Sequence, residues 1–317
     1  MLLQTDNQTI EDLRLFSWQD QKGIYEFYNN TNTRGGEQLL ESMFRSPLSD
    51  LEAIHNRATI IAAFGRLKIL FPFDSWLLDN VEKYMMQARE LQDGKKPDLS
   101  EKETATGVAS IIELLHVLRE FTENGAITNI AGLESERAEV MAVLNEPSLA
   151  PVFKEQTKGK LSYAASTAYD VLFRVREKDK VTRVLQFIYL VDVYISVANV
   201  AGKYNFVFPV PHPKDSGILE LEGVYHPELK NPVANSLRMN ADKTVVFLTG
   251  ANMAGKSTFL RSFSTALYIA HMGFPVAAKR IEFAVLDGIY TTINLPDNLG
   301  IGASHFYAEV LRVKKIA

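Results

Sequence analysis

The chain has 317 residues, a formal net charge of −4 and no cysteine. With 46% apolar residues it is long enough to fill the cores of two domains. Missing cysteine excludes disulfides, thiolate metal sites and cysteine nucleophiles; near-neutral charge gives no global attraction for nucleic acid; and six histidines without a shared ligand spacing argue against a structural metal site.

In chain order, residues 1–11 are polar and acidic, without the basic and then apolar regions of a signal peptide. Residues 11–92 read as helices with short connections. Leu39, Leu40 and Met43 form one helical stripe before Pro47, and Ile54, Ile61, Phe64 and Leu67 form another after Ser49-Asp50. A further helix is expected over 75–91, and a turn or mobile link at 93–98, where Gly, Pro and charges leave little to bury. Residues 101–122 carry Val108, Ile111, Ile112, Leu115 and Leu118 on one helical face. A shorter helix follows at 134–144, ended by Pro147 and Pro151, and residues 158–161 read as a brief turn or strand.

Residues 164–200 read as one or two long helices. The apolar run at 187–200 contains Asp192, Ser196 and Asn199, and is read as too short and too polar to span a membrane, so the cytoplasm is the expected location. Arg174, Arg176, Lys178, Lys180 and Arg183 make the densest basic run. It reads either as a solvated helix face or junction, or as a contact for DNA phosphates. Three prolines between 206 and 213 mark a change of composition, and a domain boundary is placed at 200–215. The rest reads as α/β, with strands near 218–224, 245–249 and 281–286, a helix over 256–272, a loop at 294–304 and a final helix.

The sharpest motif is Gly250-Ala-Asn-Met-Ala-Gly-Lys-Ser257 followed by Thr258, set between the expected buried strand Val245–Thr249 and the expected helix. In that context the pattern is a phosphate loop. Gly250 and Gly255 permit the tight turn; the amides from Asn252 to Gly255 are expected to surround a β-phosphate. Lys256 is expected to reach the β and γ oxygens and Ser257 to coordinate Mg²⁺. Hydrolysis also needs a second acidic residue on the metal and a group that positions water. Asp287 ends a strand but is followed by Gly288, and Glu309 lies in a helical context, so neither supplies a convincing second motif.

These residues resemble the ATPase domain of the MutS DNA mismatch-repair family. Thr249-Gly-Ala-Asn-Met-Ala-Gly-Lys-Ser-Thr258 is similar to that family's Thr-Gly-Pro-Asn-Met-Gly-Gly-Lys-Ser-Thr, and Asn252-Met253 is the specific part. Downstream, Gly273-Phe-Pro-Val-Ala277, Asp287-Gly-Ile-Tyr-Thr291, Asp297-Asn-Leu299 and Gly302-Ala-Ser-His-Phe306 with Glu309 resemble further signatures. Upstream, His226-Pro227 and Asn235 do the same. Thr33-Arg-Gly35, Pro47-Leu48, Asp50, Ile54 and Arg57 resemble the start of the family's helical core, and residues 192–198 its last helix before the ATPase. Ala251 and Ala254 depart from the family's proline and glycine, and Thr292 from a common arginine.

The resemblance implies a mainly α-helical core and shortened lever over 1–200, followed by the first part of an α/β P-loop NTPase domain over 201–317. It implies ATP or ADP with Mg²⁺ as cofactors. Gly250, Asn252, Met253, Ala254, Gly255, Lys256, Ser257 and Thr258 would hold the nucleotide, with His226 beside the pocket and Ser304 reaching across a homodimer. The family's later acidic pair and histidine switch have no counterpart, so the chain is read as truncated within this domain and without ATPase turnover by itself. No Phe-x-Glu stands near the N-terminus, so branched or structured DNA is the expected partner rather than a mismatch. The competing expectation is a helical protein-interaction module with a regulatory nucleotide-binding domain and no DNA role.

Overall fold

The computed structural model describes residues 1–17, 22–92, 99–157, 159, 161–293, 310 and 312–314. The helices, in chain order, are α1 (Asn7–Asp12), α2 (Tyr25–Tyr28), α3 (Arg34–Arg45), α4 (Leu51–Leu67), α5 (Ser75–Gln92), α6 (Glu101–Glu123), α7 (Gly125–Thr128), α8 (Glu134–Leu144), α9 (Tyr163–Val171), α10 (Lys178–Tyr204) and α11 (Lys256–His271). The strands are β1 (Val210–His212), β2 (Leu219–Val224), β3 (Asn235–Met239) and β4 (Arg280–Ala284). The architecture is a largely helical core followed by a small mixed sheet. Contacts divide it into two compact units, one of Met1–Asn30, Leu40–Gly65 and Ser196–Ala317, the other of Thr31–Leu39 and Arg66–Ile195.

The second unit is helical. α6 starts on a capping box: the Ser100 hydroxyl accepts from the Glu103 amide at 3.3 Å, and the Glu103 carboxylate accepts from the Ser100 amide at 3.1 Å. All five apolar residues expected on its inner face, from Val108 to Leu118, are buried. α5 packs on α6, and Gly107 makes this possible. A methyl group there would stand 2.3 Å from the Tyr84 ring, so only a glycine lets the ring lie against the helix backbone.

In the same unit Asp192 of α10 is fully buried and gathers the start of α3. It accepts from the amides of Asn32 and Thr33, the Asn32 carboxamide and the Thr33 hydroxyl, all at 2.8–3.0 Å. A buried carboxylate is tolerated only when its lone pairs are filled in this way.

α10 corrects one expectation. Extended to Lys178–Tyr204, it is long and apolar enough to cross a membrane by length and composition. Yet 72% of its most apolar window is buried within the protein, the behaviour of a core helix.

The first unit holds the sheet, ordered β1-β4-β2-β3. β1 runs parallel to β4 with Val210 opposite Glu282, and β2 runs antiparallel to both β4 and β3, with Leu219 opposite Phe283 and Leu221 opposite Leu237. α11 packs on β2. Tyr28, Phe44, Phe206 and Phe274 form an aromatic cluster beneath, with ring centroids 5.7–6.4 Å apart. The Tyr28 hydroxyl donates to the Pro275 carbonyl and the Tyr268 hydroxyl to the Phe44 carbonyl, both at 2.6 Å, which satisfies their polar ends in the core.

Strands expected near 218–224 and 281–286 appear as β2 and β4, and the helix expected over 256–272 appears as α11. The strand expected at 245–249 does not form. Val245 and Phe247 are 85% and 89% exposed rather than buried. A strand exists through its ladder, and among the described residues none pairs with this run. Leu67, expected on the buried stripe of α4, is 43% exposed at that helix's end. Residues 93–98, the whole of the expected loop at 294–304, and Lys158 and Lys160 of the expected turn lie outside the described residues.

Candidate functional site

The loop from Gly250 to Gly255 ends in two left-handed residues, Met253 at φ 64° and Gly255 at φ 89°. The Ala254 amide donates to the Ala251 carbonyl at 3.3 Å, closing the turn. α11 starts at Lys256, and Gly255 provides no side-chain cap for its first amides. Those amides have no partner within the helix, and the positive end of the helix dipole lies with them. The Lys256 ammonium bends back over the loop, donating to the carbonyls of Gly250 at 2.7 Å and Ala251 at 2.8 Å. Asn252, Met253, Ala254, Ser257 and Thr258 are exposed, so the rim of the loop faces solvent. The chemistry of this arrangement is that of an anion site, with backbone donors, a helix N-terminus and one cation at its centre.

His226 sits in the same unit, buried to 4% exposure. Burial first, and then the charges of Arg261 and Arg14, push its pKa down from 6.5 to about 4, so the ring is neutral at physiological pH. Its Nδ1 lies 3.7 Å from a Glu228 carboxylate oxygen, and its Nε2 has no hydrogen-bond partner. Burial raises the pKa of Glu228 as well, with Arg14 and Arg261 opposing. Arg261 stands on the second turn of α11, so the helix that begins at the loop also brings a charge to His226. Glu228 is a sequence neighbour of His226, whereas Arg14 and Arg261 carry no spacing signal and converge on it only through folding.

Ser304 and Glu309 lie outside the described residues. Asn235 opens β3 and donates its carboxamide to the Val233 carbonyl at 3.0 Å. Asp287 is exposed and ion-paired with Lys214.

The basic run belongs to the other unit. Arg174 points inward within a single π turn over Leu172–Arg176. It clasps Asp170 with two hydrogen bonds of 2.6 Å and lies 5.1 Å above the Tyr84 ring. Tyr84 donates to the same carboxylate at 2.5 Å. Lys180 bridges Glu177 at 2.8 Å and Glu146 at 3.3 Å. Arg176 and Arg183 are exposed, and Lys178 is half-buried.

A largely helical core followed by a small mixed sheet is consistent with a partial α/β NTPase-like domain. Residues 246–317 match the family described as MutS domain V. The chain is 32% identical over 157 residues to the DNA mismatch repair protein MutS of Persephonella marina, covering 47% of this chain and 18% of that protein. It is 34% identical over 158 residues to the protein of the same name from Desulforapulum autotrophicum, covering 46% and 17%. With that of Thermus aquaticus the identity is 34% over 155 residues, covering 46% and 18%. The chain is therefore related to the MutS family through that family's ATPase domain, and the match spans less than a fifth of these relatives' length.

Proposed function

We propose that this chain is the nucleotide-binding and core part of a MutS-like, DNA-associated ATPase, in which ATP at the phosphate loop favours dimer closure and movement of the helical core. The observation that carries this reading is Lys256. Its ammonium rests on the carbonyls of Gly250 and Ala251 at the uncapped start of α11, inside the segment that matches MutS domain V. The residues fit a nucleotide phosphate with Mg²⁺. The amides from Asn252 to Gly255 would hold a β-phosphate, Lys256 would turn from the carbonyls to the phosphate oxygens, and the exposed Ser257 would face the metal, with Thr258 beside it. Bound Mg²⁺ would supply charge neutralisation between the phosphates. His226 contributes a neutral ring near the helix, and Ser304 would approach from a partner copy. The proposed location is the cytoplasm.

The test is a titration of fluorescent ATP with Mg²⁺ onto residues 1–317 and the Lys256→Ala variant. Saturable binding is expected, weakened at least about 100-fold in the variant, the scale of a lost charge-assisted contact to phosphate. A folded wild-type chain that binds no ATP would overturn the reading.

A second reading keeps the nucleotide loop and drops DNA, making the helical unit a protein-interaction module. The inward turn of Arg174 and the pairing of Lys180 favour it, because they remove two cations from the candidate DNA contact. The two readings separate on Arg176 and Arg183, which remain exposed. Under the first, Arg176→Glu with Arg183→Glu weakens binding to branched DNA about tenfold or more and flattens its salt dependence. Under the second, neither the parent chain nor the variant binds duplex or branched DNA at physiological salt.

A further inference from the structure

The N-terminal helix α1 holds three polar residues spaced by three, Asp6 as its cap, Thr9 and Asp12, and all three reach residues almost three hundred positions away. Asp12 is 1% exposed. One of its carboxylate oxygens accepts from the Thr291 hydroxyl at 2.9 Å and the Ile293 amide at 2.8 Å, and the other accepts from the Gln8 carboxamide at 3.1 Å. The Thr9 hydroxyl accepts from the Thr291 amide at 3.0 Å while donating to Asp6 at 2.9 Å. Arg312 completes the arrangement, donating to Asp6 at 2.8 Å and to the Thr291 carbonyl at 3.0 Å.

The main-chain side of Asp12 faces elsewhere. Its carbonyl accepts from Arg261 Nε at 2.8 Å, and Arg261 lies on the second turn of α11, the helix that opens at Lys256. One residue thus grips the phosphate-loop helix with its backbone and Thr291–Ile293 with its side chain. Buried charge-assisted hydrogen bonds of this kind are short, directional and costly to leave unmade. A shift of α11 at Arg261 therefore strains or relieves the bonds to Thr291 and Ile293.

We infer that Asp12 is a positioning residue that couples the phosphate-loop helix to the Thr291–Ile293 segment, so that occupancy of the loop changes the opening of that segment. The coupling to a nucleotide rests on the ATP-binding reading above; the brace itself does not. In linkage terms, the segment's local opening equilibrium is the two-state element, and the loop is the site that biases it.

Hydrogen–deuterium exchange on residues 1–317 tests both parts, with amides of β2, in the same compact unit as the brace, reporting that unit's stability. Without nucleotide, Asp12→Ala should accelerate exchange at Ile293 about tenfold or more with β2 unchanged, because it removes the acceptor of that amide and keeps the backbone carbonyl. Asp12→Asn, which retains an acceptor oxygen, should restore most of the protection. Equal exchange in wild type and Asp12→Ala would overturn the brace. If Asp12→Ala unfolds, the Asp12→Asn and Arg261→Ala chains still decide. Arg261→Ala should leave the ATP-free protection at Ile293 within about threefold of wild type and abolish its response to ATP, since the side-chain half of the brace survives. With ATP and Mg²⁺, wild type and Asp12→Asn should change exchange at Ile293 and Asp12→Ala should not. ATP binding with no change at Ile293 in wild type would overturn the coupling. Absence of ATP binding would overturn the nucleotide reading and the coupling together, leaving the brace to the ATP-free measurements.

Discussion

Lys256 folds onto two carbonyls of its own loop, and that contact makes its role testable at the level of one side chain. Removal of the ammonium in Lys256→Ala should weaken ATP binding at least about 100-fold and leave the fold intact, since the residue lies at the start of α11. The histidines behave differently. His271 is fully buried, its Nδ1 hydrogen-bonded to the Leu267 carbonyl at 2.8 Å and its Nε2 accepting from the Leu286 amide at 3.0 Å. The second bond requires an unprotonated Nε2, so the ring is neutral. Burial holds its pKa, like that of His226, down at about 4 from 6.5. Between those two values the unfolded chain takes up protons that the native chain refuses, so the histidines' contribution to stability is constant above about pH 7 and falls as pH drops below 6.5. Glu228, raised by burial, works in the opposite sense beside His226. His271→Gln, which keeps an acceptor without a titrating ring, should therefore flatten the profile more cleanly than a change at His226. Urea midpoints from pH 8 to 5 would show this, and a flat wild-type profile would refute it.

Elements formed where one sequence stretch carried its own reasons. α6 has its cap, its charge bias and its apolar face within residues 100–123, and it appears where periodicity places it. The π turn at Leu172–Arg176 was not legible, since nothing local distinguishes it from continued helix. Arg174 there pairs with Asp170 one turn back, and Tyr84, 86 positions away, closes on the same carboxylate. π-helical hydrogen bonding occurs mostly as such single turns at α-helices. Arg174→Met should cost about 2–4 kcal/mol by leaving the Asp170 carboxylate without its guanidinium, while adding Asp170→Ala should recover part of that loss. Denaturant unfolding of the single and double variants measures both, and an additive double variant would refute the coupling. The expected strand at 245–249 failed for the complementary reason. Its composition is right, but a strand requires a neighbour, and no described strand lies beside it.

For the whole molecule, that unpaired run leaves Val245 and Phe247 exposed, with Val233 at 80% exposure on the same unit. Exposed β-branched and aromatic side chains of this kind drive association. Phe247→Glu should lower light scattering by residues 1–317 at high concentration without reducing thermal stability; unchanged scattering would place the association elsewhere. The two compact units cut the chain inside α3, α4 and α10, so neither unit is one continuous stretch of sequence.

The sequence by itself determined the features whose causes are local. The glycine-rich loop with its Asn252-Met253 pair, the helix after it, and the capped and periodic α6 each rest on residues close to one another in sequence. The tertiary structure alone decided which charges are spent internally. Tyr84 closes on the Asp170–Arg174 pair from 86 positions away, and Asp192 closes over Asn32 and Thr33. Asp12 joins Arg261 to Ile293, a link between residues 249 and 281 positions apart. Such pairings depend on which surfaces packing brings together and dehydrates, and a buried charge accepts only the partners the fold delivers.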